Sequence, residues 1–135
     1  MHSMIFVNLP VKSFKKSQEF FTKLGYSFNP QFTDETSGCL VLGENLYSML
    51  LEEERFKSFI PDDISDASKT AEVLTALTAE SREEVDRMVD LAVSLGGKEY
   101  KEPSDLGFMY TRVFQDLDNH RWEIFWMDPN YVPEE

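Results

Sequence analysis

Residues 4–11 (MIFVNLPV) form an apolar, β-branched run that predicts a strand. Ser13 then offers an N-cap. Phe14, Ser17, Phe20, Phe21 and Leu24 fall on one face of a helix, and Gly25 stands where a left-handed cap usually closes one. Residues 26–33, 39–42 and 46–51 read as three further strands, with turns at 34–38 and 43–45. Residues 52–69 carry Glu52, Glu53, Glu54, Asp62, Asp63, Asp66 and Pro61 without strand alternation, which predicts a connector with a short helix around 55–59. Within it, Phe56, Phe59 and Ile60 predict packing on the domain surface.

The pattern then restarts. Residues 71–79 are strand-like, and Ser81 with Glu84 has the spacing of a capping box. Val85, Met88, Val89, Ala92 and Leu95 recur at helical spacing, ended by Gly96-Gly97. Strands are expected at 98–103, 108–116 and 121–127, the last two joined by a turn at Asp118-Asn119. Leu24-Gly25 maps onto Leu95-Gly96, and Phe6 onto Leu74. The expected fold class is α+β, a single domain of two βαβββ modules, about 1–52 and about 71–128, linked by about 53–70. One helix covers only one face of a four-stranded sheet, so the other face needs a partner. Two curved mixed sheets facing each other would enclose a pocket.

A chain of 135 residues, 41% hydrophobic, is long enough to bury a core. The net charge of −12 argues against a nucleic-acid partner, because phosphate binding needs a basic face. Lys12, Lys15, Lys16 and Lys23 read as a solvated helix face. No apolar run approaches the length of a membrane span. The first residues lead straight into a strand without the marks of a signal peptide, and the lone Cys39 cannot form an internal disulfide, so the expected location is cytoplasmic. Cys39 itself reads as a small buried residue.

If the last hairpin turns at Asp118-Asn119, Phe114 faces Glu123 and Arg112 faces Phe125. Alternation then sends Tyr110, Arg112, Phe114, Glu123, Phe125 and Met127 to one face, and Met109, Thr111, Val113, Trp122, Ile124 and Trp126 to the helix side. The first set is mostly apolar with an acid, a base and a phenol, which is the composition of a small-molecule site. Arg112 and Glu123 would be diagonal neighbours. Either Arg112 grips an anionic ligand group while Glu123 moves a proton, or the two neutralise each other as an ion pair. Tyr110 is either a core aromatic or part of that site, and Asn8, on the face of Phe6, is a candidate donor.

The segments Phe6-Val7-Asn8-Leu9-Pro10-Val11-Lys12-Ser13 and Phe20-Phe21-Thr22-Lys23-Leu24-Gly25-Tyr26 resemble the opening of the glyoxalase, bleomycin-resistance and extradiol-dioxygenase superfamily, also called vicinal oxygen chelate. The run from Phe114 through Asp116-Leu117-Asp118-Asn119-His120-Arg121-Trp122-Glu123 to Trp126 is similar to its closing hairpin, which ends in a metal-binding glutamate. The resemblance implies metal-ligand positions at Phe6, Met49, Leu74 and Glu123, of which only Glu123 is a ligand type. The expectation is therefore a protein with no metal cofactor, its pocket formed by Phe6, Asn8, Met49, Leu74, Tyr110, Arg112, Phe114 and Phe125 around a small organic ligand. The alternative is a metal-dependent lyase or isomerase of lactoylglutathione-lyase type, or a dioxygenase, with Glu123 catalytic and zinc, nickel, manganese or iron bound. The resemblance also implies a homodimer.

Overall fold

The structure is a computed structural model and describes residues 1–133. The chain divides into two compact units, the first running from Met1 to Thr70 and the second beginning at Ala71.

In the first unit, β1 (Ile5–Val11) leads into α1 (Phe14–Leu24), β2 (Ser27–Asn29), a 3-10 turn (Pro30–Phe32), β3 (Ser37–Gly43), β4 (Leu46–Glu52) and the short α2 (Glu53–Lys57). The strands form one sheet in the order β1-β4-β3-β2, with β1 and β4 parallel and the other pairs antiparallel. Helix α1 starts because the Ser13 side chain accepts the Lys16 N–H at 3.3 Å, and it stops at Gly25, whose φ of 117° suits a residue without Cβ. Its buried face is Phe14, Ser17, Phe20, Phe21 and Leu24, the face the spacing predicts. The Phe14 N–H also donates to Glu52 Oε2 at 3.0 Å, tying the head of α1 to the end of β4.

The second unit repeats the plan with β5 (Leu74–Thr78), α3 (Arg82–Ser94), β6 (Ser104–Asp105), β7 (Met109–Gln115) and β8 (Arg121–Met127). The sheet order is β5-β8-β7-β6, with β5 and β8 parallel. Gly96, with φ of 109°, takes the role of Gly25. Half of the expected capping box forms: Ser81 accepts the Glu84 N–H at 3.1 Å, while the Glu84 carboxylate turns instead to Arg87, 2.7 Å away. The strand expected at 98–103 shrinks to a single bridge, Lys98 to Gln115, before the short β6. Val85, Val89 and Ala92 of α3 pack with Phe114, Trp122 and Ile124 in this unit's buried apolar set. The fold class is α+β, with two four-stranded mixed sheets that are not closed. Among the described residues no helix is long and apolar enough to cross a membrane.

Candidate functional site

The face of the first sheet turned away from α1 is set by Gly38. A Cβ there would lie 2.3 Å from the Phe14 ring, so the Gly38 position points at α1. Leu50 is its register partner and Leu9 is partner to Leu50, so these residues share the helix side. One residue on, Asn8 pairs with Met49, which pairs with Cys39, and these occupy the opposite face. Phe6 and Tyr47 lie on that face too, stacked with centroids 4.8 Å apart. Chain continuing from β4 through α2 then brings Phe56, Phe59 and Ile60 beside the strands. The result is two adjoining hollows that share Asn8, Leu51 and Phe59. One, of about 330 Å³, adds Phe56 and Ile60. The other, of about 300 Å³, adds Met49, Ser37, Arg55 and the loop residues Gln31, Phe32, Thr33 and Asp34. Cys39 is fully buried, and burial pushes its thiol up from the ordinary value, away from thiolate chemistry.

In the second sheet the register corrects the sequence expectation. Gln115, not Asp116, faces Arg121, so Phe114 pairs with Trp122 and Val113 with Glu123. The loop is five residues long, 116–120, because Asp116 organises it. Its Oδ1 accepts the N–H groups of Asp118 at 2.9 Å and His120 at 3.0 Å, and its Oδ2 accepts the Trp122 indole N–H at 2.9 Å. Burial pushes the Asp116 carboxyl up, against the opposing pull of His120 and these donors. A one-residue slip in register moves every side chain of a strand to the other face. Tyr110, Arg112 and Phe114 therefore lie on the α3 side, away from Glu123. Arg112 reaches Asp86, Asp90 and Glu99, each at 2.9 Å, and Tyr110 donates to Asp86 at 2.6 Å. Phe114 is buried against Trp122. The expected Arg112–Glu123 pair does not form, and neither Arg112 nor Tyr110 has a free polar atom directed at a ligand beside Glu123.

Glu123 keeps Phe125 and Leu74 on its own face, with Ala76 as its β5 partner and Arg121 paired with Leu74. Tyr100 joins them: the Arg121 guanidinium lies 5.8 Å over its ring. Its hydroxyl is buried without a hydrogen-bond partner among the described residues. Burial pushes the phenol up, and the Glu123 charge pushes it further.

The four positions at which the sequence resemblance implies metal ligands carry Phe6, Met49, Leu74 and Glu123. Met49 and Glu123 are equivalent across the two units, since Asn8–Met49 and Ala76–Glu123 are matching register pairs. Among the described residues no three His, Cys, Asp or Glu converge as ligands. One carboxylate supplies too few donors for a divalent ion, so this residue set does not fit the superfamily metal.

The residues that sequence reasoning missed are Arg55 and the wall formed by Phe56, Phe59 and Ile60, together with Tyr100. Three large apolar residues in an otherwise acidic connector were the available signal for the wall. Strand alternation from Lys98, the bridge partner of Gln115, would have found Tyr100.

No family model and no curated protein matches this chain. Solved structures do. A hypothetical protein of S. aureus is 27% identical with a TM-score of 0.79, over 93% of this chain and 95% of that one. A glyoxalase/bleomycin resistance protein/dioxygenase family enzyme of Burkholderia phytofirmans is 16% identical with a TM-score of 0.75, over 90% and 96%. A fosfomycin resistance protein of Listeria monocytogenes is 20% identical with a TM-score of 0.68, over 100% and 96%.

Proposed function

We propose that this chain, which has the fold of the glyoxalase/bleomycin resistance/dioxygenase proteins, binds a small organic molecule on the α1-distal face of its first sheet without the superfamily's divalent cation. The observation that carries this reading is the pair of adjoining hollows around Asn8, Leu51 and Phe59. Such a site combines apolar walls with a few polar groups that fix orientation. Leu51, Phe56, Phe59 and Ile60 give the walls; Asn8 gives an amide. That amide donates to Phe6 O at 3.2 Å through one hydrogen, which orients its carbonyl and second hydrogen for other use. Likeness to a protein named for fosfomycin resistance supports small-molecule binding as a use of this fold. The unsuitable donor set at Phe6, Met49 and Leu74 disfavours the metal-dependent lyase, isomerase or dioxygenase alternative built on Glu123.

A ligand that binds only the folded chain raises its melting temperature. A broad panel of small organic compounds should contain members that do so. Phe59→Ala, at an exposed wall of the hollow, should reduce that gain without unfolding the chain. A panel in which nothing stabilises the protein would contradict the reading.

A further inference from the structure

We infer that the hollow containing Arg55 takes a small organic anion, a carboxylate on an aromatic or branched apolar body, with Arg55 as its cation. This rests on the reading of the hollow as a ligand site and adds the ligand's charge and shape.

Arg55 is the one Lys or Arg lining this hollow, in a chain where acidic residues outnumber Lys and Arg by 25 to 13. Lys23, Lys57, Arg82, Arg87 and Arg112 each hold an acid within 3.2 Å. Among the described residues Arg55 holds none. Its guanidinium instead sits 5.7 Å from the centre of the Phe59 ring, a contact that orients the fork while leaving its N–H groups unused. Both residues line the same hollow as Asn8, Ser37 and Met49.

The hollow also contains one carboxylate, Asp34, which would repel an anion if its charge were exposed to it. Asp34 is committed to its own turn. Its Oδ1 accepts the N–H groups of Thr36 at 2.9 Å and Ser37 at 3.0 Å, as well as both their hydroxyls at 3.3 Å. Those donors hold its carboxyl below the ordinary value, so it stays ionised with its Oδ1 bound to the loop. The electrostatic invitation left in the hollow is Arg55, with the second amide hydrogen of Asn8 as a further donor to a carboxylate. Guanidinium and carboxylate match in a two-point geometry that a neutral amide cannot reproduce. Leu51, Phe56, Phe59 and Ile60 lie against Asn8 in the adjoining hollow, so the apolar body has a surface continuous with the charged end. A volume of about 300 Å³ suits a ligand of one ring and a short substituent.

The test uses the full chain and two probes of the same shape, sodium benzoate and benzamide, followed by NMR of the Asn8 side-chain amide and the Met49 methyl. Benzoate should shift both signals in saturable fashion and bind about tenfold or more tighter than benzamide. Arg55→Gln should weaken benzoate by a similar factor, leave benzamide unchanged, and remove the salt dependence of benzoate binding. Equal binding of the two probes, with Arg55→Gln neutral, would overturn the anion inference and leave the ligand site standing. Saturating shifts from neither probe at these two residues would overturn both.

Discussion

Arg112 of β7 and Asp86 of α3 meet at 2.9 Å across the interface between helix and sheet. That contact places the Arg112 side chain on the opposite side of the second sheet from Glu123. Asp90 and Glu99 complete the cluster, and the three acids raise the guanidinium's already high proton affinity. With the Arg112 side chain only 11% exposed, its removal would leave three acids crowded without their cation. Arg112→Ala should destabilise the fold by about 2–4 kcal/mol in urea unfolding. A double-mutant cycle should couple Arg112 to Asp86 clearly and to Glu123 by less than about 0.5 kcal/mol. Strong coupling to Glu123 would contradict the observed register.

Tyr100 makes an opposite prediction. A buried hydroxyl without a partner costs about 1–3 kcal/mol relative to one that is bonded. The Oη of Tyr100 is such an atom among the described residues, whereas its ring keeps the Arg121 contact in either residue type. Tyr100→Phe should therefore raise stability, by up to about 1 kcal/mol. A clear loss of stability would show that the hydroxyl is engaged.

Acid sensitivity should trace to the strap around β6. Arg82 grips Asp105 through two nitrogens at 2.8 and 2.9 Å, and a third contact runs from Arg82 to Gly107 O at 2.9 Å. The guanidinium and the Gly107 N–H hold the Asp105 carboxyl down at about 2. A carboxyl whose pKa is lower folded than unfolded binds fewer protons in the folded state, so stability rises with pH across that interval. The contribution is complete above about pH 4, the ordinary carboxyl value, and disappears as the pH falls toward 2. Unfolding followed from pH 5 to pH 2 should show a shallower acid decline in Asp105→Asn than in the parent chain. An unchanged slope would locate the acid sensitivity elsewhere.

Most of the fold could be read from spacing because the elements are locally consistent. The α1 face of Phe14, Ser17, Phe20, Phe21 and Leu24, and the matching left-handed glycines Gly25 and Gly96, are written in residue type and interval. The site was less legible, and the reason is a single turn. Asp118-Asn119 suggests a two-residue hairpin, but Asp116 can bond amides two and four residues ahead and lengthens the loop to five. That odd shift exchanged the faces of β7 and sent Tyr110, Arg112 and Phe114 to the helix side, while Glu123 and Phe125 stayed together. Alternation put Asn8 on the face of Phe6, and the regular β1–β4 register keeps it there beside Met49, a position that only the resemblance had singled out. What covers part of that face, the chain from Glu53 to Ile60, follows from tertiary packing of a connector whose spacing encodes no regular strand.

Under the proposed function a ligand is held without a divalent ion, because the set Phe6, Met49, Leu74 and Glu123 contains a single metal-ligating side chain. The most direct measurement is elemental analysis of gently purified protein, combined with melting curves before and after chelation. The expected result is far less than one zinc, nickel, manganese or iron per chain and an unchanged melting temperature in chelator. One tightly held ion per chain, lost on chelation or in Glu123→Gln, would contradict it.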